Sequence, residues 1–161
     1  KIIDIGGGDS YLIDSLLDLG YTNLFLLDIS AAAIERAKKR LGDKAKNITF
    51  IVSDSLHFQS DEKFDVWHDR ASFHFFTEAN DIEQYKANVI ANTNQNAHFI
   101  IGTFSEEGPL KCSGLPITQY SVEKMEAVFG LYFELENCFT EDHETPFDTV
   151  QNFIFCHYIK K

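Results

Sequence analysis

The chain opens with the stretch KIIDIGGGDS at residues 1–10, and this stretch decides the fold class. Its apolar run, from Ile2 to Ile5, is short and rich in β-branched residues, which is typical of a buried strand. The glycines that follow allow a sharp turn and leave no side chain between the backbone and a ligand. Apolar residues then recur near helical spacing from Ser10 to Leu19. Strand, glycine turn and helix together predict a nucleotide site at the carboxyl end of an open α/β sheet.

Apolar strands alternate with helical segments along most of the chain. We expect strands at 24–27, 47–52, 64–68 and 97–104, and helices at 31–41, 72–93 (broken near 78–81) and 121–129. Two aromatic-rich strands near 132–139 and 150–159 end the chain, joined by a polar loop that holds His143 and Pro146. This order predicts a Rossmann-like α/β fold. Its sheet is expected to be seven-stranded and mostly parallel with an antiparallel C-terminal hairpin, and helices on both faces make a three-layer αβα sandwich.

Length and composition narrow the class of protein. A chain of 161 residues predicts one domain over residues 1–161. A formal net charge of −11 opposes binding to nucleic acid or to an anionic membrane surface. No apolar stretch is long enough to span a membrane, and no secretory signal opens the chain. The chain begins inside a strand without a starting Met, so we expect that an upstream helical segment is missing from it.

The cysteines give a further expectation about the compartment. Three of them, at 112, 138 and 156, are too few and too scattered for a disulfide framework or a CxxC metal site. A reducing, cytoplasmic setting and no bound metal are therefore expected. The sequence leaves the oligomeric state open.

An acid after the second strand indicates what kind of nucleotide the glycine turn accepts. Asp28 follows Gly8 by 20 residues, the spacing at which a carboxylate reaches the ribose hydroxyls. A dinucleotide fold would carry a third glycine where Tyr11 stands, and no phosphate-binding lysine follows the turn. Asp9 beside the turn would repel a pyrophosphate but suits a positively charged ligand. We interpret the ligand as nucleoside-like and cationic.

The stretch from Asp4 to Gly8 resembles the acid-x-Gly-x-Gly turn of class I S-adenosylmethionine-dependent methyltransferases. The resemblance implies that Asp28 holds the ribose, that Asp54 after strand three meets the adenine, and that residues ending strand four lie near the methyl group. S-adenosylmethionine is then the cofactor, and a small molecule or a protein lysine accepts the methyl group. The implied cofactor-binding residues are Asp4, Gly6, Gly7, Gly8, Asp28, Ile29, Asp54, Ser55, Asp69 and Arg70.

Candidates for the chemistry follow strands four and five. Asp69 could orient an amine or hydroxyl, or pair locally with Arg70. His74, one turn later, could act as a base, or pack as a neutral histidine among phenylalanines. A loop at 105–119 without regular structure is expected to form the substrate side, with Cys112 and Tyr120 as substrate-contacting candidates. A lone cysteine such as Cys112 can equally be inert.

Two other functions stay open at this point. One is a non-catalytic subunit that binds S-adenosylmethionine and serves a partner. The other is an NAD-dependent oxidoreductase, which Tyr11 and Asp9 disfavour. Nothing in the sequence identifies the nucleophilic atom of the acceptor or shows whether a general base takes part.

Overall fold

The structure is a computed structural model that describes residues 1–145 and 149–161. Its main sheet contains β1 (Ile2–Ile5), β2 (Leu24–Asp28), β3 (Ile48–Val52), β4 (Phe64–Arg70), β5 (Thr93–Phe104), β8 (Phe133–Glu144) and β9 (Val150–Lys160). A separate small hairpin is formed by β6 (Lys111–Cys112) and β7 (Leu115–Pro116). The α-helices are α1 (Leu12–Asp18), α2 (Ala31–Leu41), α3 (Ala79–Asn92) and α4 (Val122–Phe129). Short 3₁₀ turns cover Gly42–Asn47 and Phe73–Phe75.

The sheet has the order β3-β2-β1-β4-β5-β9-β8, which confirms the expected fold class. Neighbouring strands from β3 to β5 are parallel, whereas β9 runs antiparallel to both β5 and β8. In a parallel sheet of this kind the carboxyl ends of the strands meet at one edge, and the strand order reverses beside β1. The loops that leave β1, β2, β3 and β4 are therefore close together in space.

Alternating side chains of the strands pack against helices on both faces of the sheet. One apolar cluster joins Ile13 of α1 and Ile34 of α2 to Leu24 and Leu26 of β2. The larger cluster lies on the opposite face and consists mainly of aromatic side chains from the strands, α3 and α4. Phe99 and Phe129, for example, meet edge to face with ring centroids 4.9 Å apart. Full burial of a phenylalanine side chain stabilises the folded state by about 1.5–3 kcal/mol. Most of the phenylalanines therefore contribute to the stability of the core.

Several boundaries differ from the expected ones. β5 begins directly after α3, at Thr93, where the backbone turns to extended dihedrals of φ −106° and ψ 148°. The expected break in the helix at 72–93 is present but lies at 76–78, between the 3₁₀ turn Phe73–Phe75 and α3. The loop at 105–119 contains the β6–β7 hairpin, so the expectation that it lacks regular structure was wrong.

The C-terminal hairpin also extends further than its polarity indicates. The polar stretch that ends at Glu144 was expected to be a loop but belongs to β8, with His143 opposite Gln151. The backbone ladder continues there because main-chain hydrogen bonds do not depend on side-chain polarity. Pro146, also placed in that loop, lies outside the described residues.

The hairpin register brings two cysteines together. Cys138 and Cys156 are directly opposite each other in the β8–β9 ladder, with Cα atoms 4.2 Å apart, and they are joined by a disulfide. The sequence predicted that the cysteines are too few and too scattered for a disulfide framework, and it did not predict this single pair. They are 18 residues apart along the chain, and only the strand pairing makes them neighbours. Cys112 is a free thiol.

Candidate cofactor site

A cavity of about 640 Å³ lies at the carboxyl ends of the parallel strands. Its volume is within the usual range of ligand pockets, roughly 300–1,000 Å³. Residues from the ends of β1, β2 and β3 line one part: Ile5, Gly6, Leu27, Asp28, Ile29, Ser53, Asp54 and Ser55. Residues after β4 and from β7 line the other: Ala71, Ser72, Phe75, Phe76, Thr77, Leu115 and Pro116. Of the implied cofactor-binding residues, the cavity therefore brings together Gly6, Asp28, Ile29, Asp54 and Ser55.

The glycine turn packs closely against three neighbouring segments. Gly6 has a φ of +68°, a left-handed conformation that side chains rarely adopt. A Cβ atom at Gly8 would come within 2.5 Å of the Ala33 Cβ and 2.8 Å of an Asp28 carboxylate oxygen. Gly7 and Gly8 do not line the cavity, so their small size serves the packing of the turn against α2 and β1.

Asp28 connects the turn to the end of β2 while facing the cavity. Its Oδ2 accepts a hydrogen bond from the Gly8 backbone N–H at 3.0 Å, and its Oδ1 accepts one from Ser30 at 2.8 Å. Each carboxylate oxygen has a second lone pair, so Asp28 can still accept two hydroxyl donors. A vicinal diol such as a ribose presents such a pair of donors.

The acid after β3 shapes the neighbouring part of the cavity. Asp54 Oδ1 accepts a hydrogen bond from the Leu56 backbone N–H at 2.9 Å, and its Oδ2 lies 3.2 Å from Nδ1 of His57. Ile29 projects into the same part and is 71% exposed. An apolar side chain this exposed within a cavity is suited to cover the flat face of a ring. Asp54, Ser55 and Ile29 thus offer polar and apolar contacts of the kind an adenine needs.

One residue that supports this loop was not identified from the sequence. Asn88 of α3 is buried, and its side-chain amide donates to the Ser55 carbonyl at 2.8 Å and to the Leu56 carbonyl at 2.6 Å. These bonds hold the loop after β3 against the helix. Its only signal in the sequence is a polar residue on the buried stripe of α3, between Tyr85 and Asn92.

Asp4 lies beneath the glycine turn, outside the cavity lining. Its side chain is buried, and Oδ1 lies 2.7 Å from Nδ1 of His68 on the adjacent strand. Its Oδ2 has no hydrogen-bond partner among the described residues and faces the α-carbon of Gly7, where a Cβ atom would collide with it. A buried carboxylate oxygen without a donor is costly. Because this oxygen is buried outside the cavity lining, it would act on a ligand through its charge, which favours a cationic amine near the turn.

Asp69 does not reach the cavity, although the sequence made it the leading catalytic candidate. It is fully buried, accepting hydrogen bonds from the Ser72 and Phe73 backbone N–H groups at 3.1 and 3.3 Å and from the Tyr85 hydroxyl at 2.6 Å. Burial raises the pKa of Asp69 to about 6, against the lowering effect of these donors. Its geometry makes Asp69 a support for the turn at Ser72, which does line the cavity. The local pair with Arg70 is absent, because the exposed Arg70 guanidinium lies over the Phe153 ring at 5.1 Å, outside the cavity lining.

The remaining candidates lie outside the cavity lining as well. His74 is fully buried and stacks on Phe104 with ring centroids 4.6 Å apart. Burial lowers the pKa of His74 to about 4, so the packed, neutral alternative describes it better than a base at the cavity. Tyr120 is buried against Phe73 at 5.0 Å, and burial raises the pKa of its hydroxyl. Cys112 is in β6 directly opposite Leu115 of β7, which lines the cavity, but Cys112 does not itself line it.

Asp9 is likewise turned away from the cavity. Its carboxylate binds the Arg36 guanidinium at 2.7 and 2.9 Å, and this hydrogen-bonded pair lowers the pKa of Asp9. The sequence argument that Asp9 stands beside the ligand was therefore wrong.

The sequence analysis missed most of the second part of the cavity. Ala71, which follows β4, has a φ of +63° and lies in the left-handed region that residues other than glycine seldom occupy. Backbone strain of this kind tends to occur at functional sites. Phe75, Phe76 and Thr77 come from the turn after it, and no pattern in the sequence separates these two phenylalanines from core ones.

Comparisons with known proteins agree with this geometry. The chain matches a protein family described as "Methyltransferase domain" over residues 1–153, and it belongs to that family. It is 34% identical over 74 residues to the malonyl-[acyl-carrier protein] O-methyltransferase 1 of Ilyobacter polytropus, covering 45% of this chain and 27% of that protein. It is 32% identical over 73 residues to the mouse (Mus musculus) eEF1A lysine and N-terminal methyltransferase, covering 45% of this chain and 10% of that protein. The matches thus span about a quarter and a tenth of these curated relatives.

The fold has been solved in related enzymes. A SAM-dependent methyltransferase from Methanosarcina mazei superposes with a TM-score of 0.80 at 14% identity, over 99% of this chain and 91% of that one. The family match and this neighbour confirm the expected fold, which is that of class I S-adenosylmethionine-dependent methyltransferases. The family match therefore favours a methyltransferase over an NAD-dependent oxidoreductase.

Proposed function

We propose that this chain is a single S-adenosylmethionine-dependent methyltransferase domain over residues 1–161. One observation carries the proposal: Asp28 and Asp54 line one cavity with the glycine turn, above the unpaired Asp4 carboxylate oxygen. Asp28 would bind the ribose hydroxyls, while Asp54, Ser55 and Ile29 would hold the adenine. The Gly6 turn would admit the methionine portion, with Asp4 balancing its ammonium group.

The residues that line the cavity would align the two reactants and keep water away from them. When bound, the sulfonium supplies a methyl group that an acceptor lone pair takes up as the carbon–sulfur bond breaks. Displacement of this kind depends on alignment and exclusion of water. Beside the glycine turn, the reactants would be aligned and water excluded by Ser72, Phe75 and Phe76. Asp28 and Asp54 are the only titratable residues among the described residues that line the cavity, so no general base is assigned.

The acceptor is proposed to be a small molecule or a protein lysine. The names of the two curated relatives support this range, since one acts on a malonyl group of a carrier protein and the other on lysine and an N-terminus. The net charge of −11 supports an acceptor other than nucleic acid, and it argues against an anionic membrane as partner. Over the described part of the chain, no helix has the length and apolarity to span a membrane.

Binding of S-adenosylhomocysteine, measured by calorimetry, tests the cofactor assignment. Asp28→Ala should weaken binding by about 1–3 kcal/mol, because hydroxyl donors of the ligand would lose their acceptor. Asp9→Ala is the matched control, since this exposed acid also follows the turn but pairs with Arg36 outside the cavity. No binding by the unmodified chain would reject the proposal, and equal affinities of the two variants would remove Asp28 from the site.

A non-catalytic subunit that binds S-adenosylmethionine is the second candidate. The observation that favours it is the lack of a titratable side chain in the second part of the cavity, within the residues described. Incubation with methyl-labelled cofactor and a panel of amines, phenols, thiols, carboxylates and lysine peptides separates the two. Label on any panel member establishes an enzyme.

We further propose a cytoplasmic location. The small number of cysteines, too few for a disulfide framework, supports it. In that compartment Cys138 and Cys156, which are bonded in the structure, would exist as thiols.

A further inference from the structure

The two parts of the cavity differ in charge. Both titratable residues that line it, Asp28 and Asp54, belong to the part at the ends of β2 and β3. We use the term acceptor mouth for the other part, beyond Ala71. It consists of Ser72, Phe75, Phe76, Thr77, Leu115 and Pro116. Within the described part of the chain, the acceptor mouth therefore offers hydroxyl groups and apolar surface but no ionisable side chain.

The apolar walls of the acceptor mouth are held in place from behind. The Phe76 ring packs against the buried Tyr85 ring, with centroids 5.4 Å apart. The Thr118 backbone N–H donates to the His74 carbonyl at 2.8 Å, and its hydroxyl donates to the Phe76 carbonyl at 3.3 Å. These bonds join the segment after the β6–β7 hairpin to the turn that carries the phenylalanines. Phe76 and the hairpin thus form a preformed apolar slot.

Charged acceptors fit this slot poorly. A carboxylate or ammonium group that enters it gives up water and finds no oppositely charged side chain among the described residues of the acceptor mouth, which is costly. A lysine side chain at neutral pH arrives as the ammonium form and would need a base to become a nucleophile. A flat, uncharged molecule instead gains contact with Phe75, Phe76 and Leu115.

We infer that the methyl acceptor is a neutral, largely apolar small molecule bearing an uncharged nitrogen, oxygen or sulfur nucleophile. The inference rests on the proposed function and chooses within its range of acceptors. The lone pair of the nucleophile forms the new bond to the methyl carbon, and the electrons of the broken carbon–sulfur bond stay on sulfur. A proton carried by the nucleophile passes to water at the open rim.

Three naphthalene probes of equal ring size test this: naphthol, naphthoate and naphthylmethylammonium. S-adenosylhomocysteine is titrated first, and its failure to bind would refute the proposed function itself. With the protein saturated by it, calorimetry should show naphthol binding at least about tenfold more tightly than either charged probe. Equal or tighter binding of a charged probe, or no binding of any probe, would overturn the inference alone.

A charge placed on the hairpin provides a second measurement. Leu115→Lys puts an ammonium group beside the acceptor mouth and should weaken naphthol binding while strengthening naphthoate binding, each by about threefold or more. Leu115 is 57% exposed, so the fold should tolerate the change. Leu110→Lys is the matched control, because Leu110 is 74% exposed and does not line the cavity. Unchanged probe affinities for Leu115→Lys, or equal changes in both variants, would contradict the assignment of the acceptor mouth.

Discussion

Two buried titratable residues near the cavity have pKa values that burial shifts in opposite directions. The pKa of Asp69 is raised to about 6 and that of His74 is lowered to about 4, since burial disfavours the charged form of each. Neither side chain lines the cavity. Asp69 accepts a hydrogen bond from the backbone N–H of Ser72, which does line it. The His74 ring packs on Phe104 and on Phe75, which also lines it. Their roles are therefore structural, and they should be visible in the pH dependence of stability.

His74→Phe should make the protein more resistant to acid. Between its folded pKa of about 4 and the ordinary value of 6.5, the unfolded chain binds a proton at His74 that the folded chain does not. Stability from a neutral His74 is thus complete above about pH 6.5 and is lost as the pH falls toward 4, by at most about 3 kcal/mol. Phenylalanine keeps the stacking on Phe104 without this loss. Urea unfolding at about pH 4.5 and about pH 7 measures the difference.

Asp69→Asn should act in the opposite direction and serves as the paired variant. The folded chain holds a proton on Asp69 up to about pH 6, whereas an ordinary aspartate has lost its proton above 3.8. Asp69 therefore adds stability as the pH falls from about 6 toward 3.8, and an asparagine at this position would not, because it does not titrate. The variant should lose more stability than the wild type between about pH 7 and about pH 4.5. The same pH profile in both variants would contradict these roles.

At the scale of elements, the cavity depends on how α3 and the small hairpin are attached to the strand ends. α3 carries Asn88, which binds the carbonyls of Ser55 and Leu56 in the loop after β3. The β6–β7 hairpin supplies Leu115 and Pro116 to the acceptor mouth. Neither element contains a recognisable motif: the sequence indicated the loop at 105–119 as the substrate side but not that Leu115 and Pro116 reach the cavity, and it offered no sign of the role of Asn88.

Asn88→Ala should weaken S-adenosylhomocysteine binding by about 1–2 kcal/mol, because two hydrogen bonds that position the loop are lost. Asn88 does not line the cofactor cavity, so it is a positioning residue. Asn94→Ala is a suitable control, since the Asn94 amide binds Asp65 away from the cavity. Calorimetry gives the affinities, and thermal unfolding without ligand gives the stabilities. A purely structural role would lower the unfolding temperature of Asn88→Ala while leaving the affinity of the folded protein unchanged.

At the scale of the whole molecule, the terminal hairpin brings distant cysteines together at the sheet edge. Cys138 and Cys156 face each other across β8 and β9. If the protein is cytoplasmic, alkylation in freshly lysed cells under denaturing conditions, which expose the buried Cys156, should label both residues, because disulfides are rare in reducing compartments. Mass spectrometry of the peptides measures the labelled fraction, and Cys112 serves as the internal control for accessible thiol. A pair that stays unlabelled until a reductant is added would contradict the cytoplasmic location.

Local sequence patterns were sufficient to predict the main sheet and the part of the cavity at the ends of β2 and β3. Alternating apolar strands and helices predicted the strand count and the antiparallel hairpin, because each pattern reflects burial of one face. Asp28 and Asp54 were predictable because acids at the carboxyl ends of neighbouring parallel strands must lie at the same edge. The cofactor and the family followed from these residues and the glycine turn at Gly6.

The burial of side chains, the acceptor mouth and the disulfide depend on contacts between segments that are distant in sequence. From the sequence, Asp69 and His74 were candidate catalytic residues, but tertiary packing buries both side chains in the interior. The acceptor mouth joins the turn after β4 to a hairpin that follows β5, and the disulfide depends on hairpin register. Side-chain direction and burial depend on which segments meet in three dimensions, and a linear pattern carries no record of that. The first residues of the chain therefore indicate the cofactor, whereas the proposed acceptor mouth forms only in the folded molecule.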